Sequence, residues 1–404
     1  MELLQPHDAE DIVFKHEKDH FRIPALLYIE KWKKYLAFAE RRTSTADHHA
    51  RRLVMSTGTR DTDGKVKWSS ITNLEKATKA GYRSMSPCPV FETNTGTLFL
   101  FFICIEGSIS ENSLKPEQTC LCYVTTQDEH LGDESWSKLK DVTDDIVFAD
   151  NKKLSEYQTF AVGPGHGIEV GVGTSNDTRL LIPAYVKMSK DECHALVFYS
   201  DDGGEHWQAG NQLFDKSGEC QVAQVRGVED TELFLYCNAC TLGGENEEVP
   251  RLEALSDDTG ASFTKLQSLS LKETPHGCQG SVLGFPATGL DSPNTWLLFS
   301  HPTKGLGWTR RDLGIYLRMS LQDGGNRDCR PWGEPFIIHP GKSGYSDLAQ
   351  CEKKDRFACL MECGEADPLQ IVFKEFALSE ILSSPDSQCC VCGSSCCCCK
   401  CCIM

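Results

Sequence analysis

Residues 200–207 read Ser200-Asp201-Asp202-Gly203-Gly204-Glu205-His206-Trp207, the pattern S-x-D-x-G-x-x-W, and no other stretch restricts the fold as much. An Asp side chain can hydrogen-bond nearby backbone, Gly takes a positive φ without penalty, and a Trp ring packs under a sheet, so the segment is built as a hairpin corner. The same spacing returns at Ser256, Asp258, Gly260 and Phe263. One such turn alone reads as an ordinary hairpin loop. Two copies, each preceded by an apolar run of strand length (195–199 and 252–255), indicate a repeated all-β unit.

The rest of the chain agrees. From Phe21 onward, short apolar runs at 25–29, 35–39, 98–105, 180–185, 233–236, 296–300 and 371–376 alternate with turn residues, and helical periodicity is scarce. Even spacing of this kind indicates a sandwich, a barrel or a propeller. Propeller blades carry about four strands each, so ~360 residues suit six blades of ~60. Degenerate corners pair Asp61 with Trp68, Asp128 with Trp136 and Asp323 with Trp332. Low-complexity sequence is absent until Ser383, which places one domain at 1–382 and a cysteine-rich tail at 383–404.

With 41 basic against 58 acidic residues, the net charge of -17 argues against a nucleic-acid surface, and any anionic ligand needs a local basic pocket. The N-terminus has no basic start, long apolar core or small-residue cleavage site, so it does not read as a secretory signal, and synthesis on cytosolic ribosomes is expected. The run at 98–105 is far short of the ~20 residues of a membrane-spanning helix and reads as a buried strand. Of 22 cysteines, thirteen are scattered up to Cys363 and read as small buried hydrophobes, while nine crowd into the last sixteen residues.

Several further motifs carry a resemblance. Phe21-Arg22-Ile23-Pro24-Ala25-Leu26 precedes the two turns, and along the chain lie Ala37-Phe38-Ala39-Glu40-Arg41-Arg42, Arg83-Ser84-Met85-Ser86-Pro87, Thr159-Phe160-Ala161-Val162-Gly163-Pro164, Glu219-Cys220-Gln221, Gly277-Cys278-Gln279-Gly280-Ser281 and Tyr345-Ser346-Asp347-Leu348. Together they resemble the exo-α-sialidase (neuraminidase) superfamily, with its F/Y-R-I-P motif and Asp-box turns, and its vertebrate membrane-associated ganglioside and cytosolic members in particular. The resemblance implies an all-β, six-bladed β-propeller that removes terminal sialic acid from glycolipids and glycoproteins, without a metal or another cofactor and without nucleic acid. Sialic acid carries a carboxylate on its anomeric carbon, which an Arg fork grips through two charge-assisted hydrogen bonds. Arg22 matches the first arginine of the family's triad, Arg310 the third, with Arg311 as the other register, and Arg42 a further substrate-contacting arginine.

An attacking carboxylate would meet the substrate's own charge, which favours a neutral nucleophile. Tyr345 matches the family's nucleophilic tyrosine. With an ordinary pKa near 10 it needs a base, and Glu219 matches that partner. Asp47 matches the acid/base, Glu362 the carboxylate that orients the first arginine, and Met85, Glu111 and Tyr185 the lining of the pocket for the sugar's side chains. Two departures stand out. Asn238-Ala239 is followed by Cys240 where the family has its second triad arginine, and a thiol cannot replace a guanidinium; the loss would cost roughly 1.5 to 3 kcal/mol, which leaves a catalytically impaired sialoside binder or membrane scaffold as the alternative. Lys187 stands where the family often has tyrosine, beside Tyr185, and is expected to influence linkage or aglycone preference.

The tail ends Cys401-Cys402-Ile403-Met404, which fits C-a-a-X with Met directing farnesylation of Cys401, and the adjacent thiols are candidates for S-acylation. Two lipids would anchor the chain peripherally at the plasma membrane or an endomembrane, whereas one holds it only marginally. A metal-binding tract is the competing reading, without His or paired CxxC modules to support it. Gly341-Lys342-Ser343 and Gly163-x-Gly165-x-Gly167 lack the context of nucleotide sites.

Overall fold

In the computed structural model, the described residues are 10–383 apart from 173–176, 190–191, 214–215, 227–232, 242–248, 268–269, 288–294, 320–330, 366 and 368. Almost all regular structure is antiparallel strand, with a few single-turn 3-10 segments and one short helix at Leu378–Ser383. The strands form successive up-and-down fans. His20–Ile29, Lys34–Arg42, Ala50–Arg60 and Val66–Trp68 make the first; Tyr82–Glu92, Thr97–Glu106, Thr119–Thr126 and Lys140–Asp141 the second. In the third, Thr159–Val162 and Ile168–Gly171 both pair with Thr178–Ser189, followed by Glu192–Ser200 and Gln208–Ala209. Cys220–Arg226, Leu233–Ala239, Leu252–Ser256 and Thr264–Lys265 complete the fourth. Thr72–Asn73 also pairs with Ala50–Arg60 in the first fan, and the strands left over form one seven-stranded sheet, in which the long strand Phe336–Gln350 pairs through its first half with Thr309–Arg318 and through its second with Arg356–Cys363.

The innermost strand of each fan touches its counterparts on either side, and the series closes where Phe336–Gln350 meets His20–Ile29. Asp11–Phe14 pairs with Gln370–Ala377, so the two ends of the described chain lie in one sheet. This is a curled, propeller-like β fold. Its packing explains the apolar runs. In Thr97–Glu106, Leu98, Leu100, Phe102 and Cys104 pack toward Leu36 and Phe38 of the first fan, while Phe99, Phe101, Ile103 and Ile105 pack toward Phe160, Phe198 and Trp207 of the third. A strand buried on both faces has no polar alternation, which is why 98–105 is continuously apolar.

The two repeated turns use the same bonds. Gly204 N–H donates to Ser200 Oγ (2.9 Å), His206 N–H to Asp202 Oδ1 (2.9 Å), and Trp207 stacks edge-on to Phe101 at 4.6 Å. In the second copy, Gly260 N–H donates to Ser256 Oγ (2.8 Å) and Ser262 N–H to Asp258 Oδ1 (2.8 Å). Gly204 and Gly260 sit at φ +93° and +95°, and a Cβ on Gly204 would collide with the Phe99 ring. Asp61 and Asp128 also accept backbone N–H bonds at their corners; Asp323 lies outside the described residues. Twelve of the scattered cysteines are described, all buried and free. Among the described residues no helix is long and apolar enough to cross a membrane.

Candidate active site

Three inner strands are bulged at the same end of the ring. Arg22 pairs with Glu40 and Ala25 with Phe38, Met85 with Ile103 and Cys88 with Phe101, Ser343 with Cys363 and Ser346 with Met361, so each inner strand carries one extra residue there. Bulges re-aim side chains and strand the N–H groups of the extra residue. Ile23 and Ser86 are consequently held at φ +61° and +55°, a conformation that costs a non-glycine residue energy and persists only where neighbours impose it. Buried carboxylates impose it here. Glu362 Oε1 accepts from Ile23 N–H (2.9 Å) and Oε2 from Tyr345 N–H (3.3 Å), and Glu40 Oε1 accepts from Ser86 N–H (2.7 Å).

The same carboxylates aim arginines. Glu362 takes a two-pronged contact from Arg22, Nε to Oε1 at 3.1 Å and Nη2 to Oε2 at 3.3 Å, and Arg22 Nη1 lies 3.9 Å from Asp47. Burial works against the charge of Glu362, but Arg22 and the donated N–H groups outweigh it and hold the carboxyl below its ordinary value. Arg42 is fully covered and spans Glu40 (Nε to Oε2, 2.8 Å) and Asp47 (Nη1 to Oδ1, 2.6 Å), so its reach is to Asp47 and not to open space. Asp47, in the single-turn segment Asp47–His49, has 60% of its side chain exposed. Desolvation opposes its charge, yet Arg42 and then Arg22 prevail and lower its pKa.

Tyr345 lies in the third bulge, with its hydroxyl donating to Glu219 Oε1 at 2.6 Å. The guanidinium carbons of Arg22 and Arg310 stand 5.3 and 5.5 Å from its ring centroid. Arg22, Arg310, Tyr345, Glu219, Asp47 and Glu362 thus converge from segments far apart in sequence. Burial pushes Glu219 up to about 7 against the pull of Tyr345 and Arg310, and pushes the Tyr345 phenol well above its usual range. Arg310 donates to Gly277 O, and its Nε is buried without a hydrogen-bond partner among the described residues. Tyr185, half-buried, feels the charges of both Glu111 and Glu219. Lys187 Nζ reaches Glu111 (3.2 Å) and Asn112 (3.3 Å), tying the turn at 111–113 to the strand beneath. Met85 is 8% exposed and packs into the core between the second and third fans, with Arg83 Nε on its sulfur.

Cys240 is buried beside Gly277, where a Cβ would come within 2.5 Å of the thiol. Arg251, immediately before the strand Leu252–Ser256, is the nearest buried guanidinium in sequence and is committed elsewhere. Its Nε donates to Asn238 Oδ1 (2.6 Å) and its Nη1 to Glu273 Oε2 (2.6 Å) and Cys278 O (2.7 Å). Glu273 in turn accepts from Thr274 N–H, Cys278 N–H and His301. This ion pair shapes the loop that offers Gly277 O to Arg310, and the sequence motifs do not reveal it. Nor do they reveal the role of Asp347, which joins inner strands by accepting from Leu26 N–H (2.7 Å) and Ser281 Oγ (2.8 Å) and contacting His166. A cavity of about 510 Å³ lined by Gln224, Arg226 and 282–286 lies at the far end of the inner strands, away from the charged cluster. Cys401 lies outside the described residues.

Comparison with known proteins gives consistent results. Residues 36–357 match the family described as a BNR repeat-like domain. The chain is 37% identical to Sialidase-3 of Bos taurus (91% of this chain, 92% of the relative) and of Homo sapiens (93% and 94%), and 35% identical to Sialidase-2 of Mus musculus (92% and 96%). Among solved structures, the intramolecular trans-sialidase from Ruminococcus gnavus in complex with oseltamivir carboxylate superposes with a TM-score of 0.71 at 17% identity (93% of this chain, 99% of that one). Trypanosoma rangeli sialidase in complex with 2,3-difluorosialic acid, a covalent intermediate, gives 0.66 at 18% identity (92% and 57%).

Proposed function

The chain belongs to the sialidase family of glycoside hydrolases, and we propose that it is a retaining exo-α-sialidase acting on gangliosides and other sialoglycoconjugates from a membrane surface. The observation that carries the chemistry is the 2.6 Å hydrogen bond from Tyr345 to Glu219 between two guanidinium groups. Arg22 and Arg310 grip the substrate carboxylate. Tyr345 Oη attacks the anomeric carbon as its proton passes to Glu219, while Asp47 gives a proton to the departing glycosidic oxygen. Asp47 then takes a proton from water, which displaces the phenolate from the same carbon, and Glu219 returns the proton to Tyr345. Two inversions give net retention. Arg42 acts through Asp47, holding its carboxyl, and a substrate carboxylate on Arg22 places a negative charge near Asp47, raising its pKa toward the acid form the first step needs. Glu111, Tyr185, Lys187 and Met85 border the space for the rest of the sugar. In this reading the seven-stranded sheet counts as two blades hinged at Phe336–Gln350, for six in all. The tail, lipidated at Cys401, supplies the membrane anchor.

Hydrolysis of a fluorogenic sialoside by the natural chain, abolished in Tyr345→Phe, is the expected result; turnover that survives Tyr345→Phe ends the assignment. The buried thiol at Cys240 favours a second reading, a propeller that binds sialosides without turning them over. Sialoside binding with no hydrolysis in the natural chain and turnover only in Cys240→Arg would establish it.

A further inference from the structure

We propose that the hairpin tip Leu306-Gly307-Trp308 is a membrane-contact surface that seats on an anionic lipid bilayer beside the active site. Leu306 is 86% and Trp308 75% exposed, the two most exposed large hydrophobic side chains among the described residues; Leu306 ends the strand Thr295–Leu306, and Trp308 is the second residue of the two-residue turn that leads into Thr309–Arg318. Gly307 at φ +54° lets that turn close tightly.

The tip is braced, not loose. The Trp308 ring stacks flat on His276 (4.0 Å between centroids, 4° between planes), and a Cβ at Gly305 would come within 2.9 Å of Pro275. Holding an indole and a Leu out in water confers nothing on the fold. A Trp at the headgroup level with an aliphatic neighbour beyond it is the arrangement found where proteins meet lipid. Charge points to the same occupant. Behind the tip, Lys304 pairs across strands with Arg311, and Arg311 with Lys342, a row of three cations in a chain of net charge -17. Asp312 and Asp367 contact the two lysines, so among the described residues of this row three cations stand against two carboxylates, with Arg311 in no ion pair. Arg310 follows Trp308 by two residues and faces Tyr345, so a bilayer under the tip meets the site at its mouth.

This inference deepens the reading of a membrane-substrate sialidase and rests on it only for its purpose, so binding is tested without substrate. Full-length chain made in bacteria, which attach no prenyl group, is co-sedimented with vesicles of phosphatidylcholine alone or with phosphatidylserine. Binding to the mixed vesicles is expected, falling about tenfold in Leu306→Ser/Trp308→Ser and weakening in Arg311→Glu, with hydrolysis of a soluble aryl sialoside unchanged in the tip variant. Vesicle binding that is absent in the natural chain, or unaltered by the tip variant, overturns the proposal. Equal losses on soluble sialyllactose and on vesicle-borne ganglioside, with vesicle binding intact, would assign the tip to the leaving sugar instead and overturn it equally. A chain that binds vesicles but hydrolyses nothing would sink the catalytic reading and leave the tip in place.

Discussion

Replacing Glu362 with Gln removes one charge and almost no volume, and the hydrogen bonds around it set the size of the effect. The carboxylate accepts from four donors, Arg22 Nε and Ile23 N–H at Oε1, Arg22 Nη2 and Tyr345 N–H at Oε2. An amide retains a single acceptor oxygen. Oriented to keep Ile23 and Arg22 Nε, it turns its own NH2 toward Arg22 Nη2 and Tyr345 N–H, losing two charge-assisted hydrogen bonds, one of them from a charged donor, at a site where Glu362 is 3% exposed. Breaking a buried pair on one side costs about 3 to 5 kcal/mol, and because Arg22 retains 26% exposure the lower end, about 3 kcal/mol, is expected. Released from its fork, Arg22 swings toward Asp47, and the substrate carboxylate loses a pre-aimed partner. Since that contact serves ground state and transition state alike, KM carries most of the change, and kcat/KM falls ten- to a hundredfold. Steady-state kinetics on a soluble sialoside, calorimetric titration with a non-hydrolysable sialic acid analogue, and thermal unfolding read the three effects. Because the Glu362 pKa is depressed, its stabilising contribution is present above the ordinary glutamate value and is lost as pH falls through the lower folded value, so wild type and variant converge in stability in acid. Unaltered analogue affinity would refute the claim that Glu362 aims Arg22.

Other expectations rest on the same geometry. With Asp47 held below the ordinary aspartate value of 3.8 and Glu219 raised to about 7, the single proton needed by the pair is present only between those values, so kcat/KM should be bell-shaped with an acidic optimum and a basic limb near pH 7. Persistence of that basic limb in Glu219→Gln would remove Glu219 from the mechanism. Cys240→Arg should raise kcat/KM about tenfold or more by restoring a charge-assisted contact; no gain would show that the thiol is not what limits the chain. Lys187→Tyr should shift the preference among sialosides by releasing Glu111 and Asn112, and an unchanged ranking of substrates counts against a specificity role.

What could be read from sequence was local. The turns at 200–207 and 256–263 hold their own hydrogen bonds within eight residues, so composition and spacing suffice to identify them. The run at 98–105 announces a strand buried on both faces. Motif likeness then singles out Arg22, Tyr345 and Glu219. The buried polar framework was not legible, because its partners lie far apart in the chain. Glu40 capping Ser86, Asp347 joining Leu26 to Ser281, and Arg251 bound to Glu273 depend on which strands the ring brings together, and no spacing encodes that. Arg42 shows the same limit. Its motif marks it as a substrate contact, while only the fold reveals that it is wholly covered and bonded to Asp47.

The most direct measurement is a mechanism-based trap. Incubating the natural chain with 2,3-difluorosialic acid, which slows release of a glycosyl adduct, and mapping the modified peptide by mass spectrometry should place one sialyl group on Tyr345 Oη, absent in Tyr345→Phe and reduced in Glu219→Gln. An adduct on a carboxylate side chain, or turnover of sialoside with no adduct on Tyr345, would contradict a phenol as the attacking group.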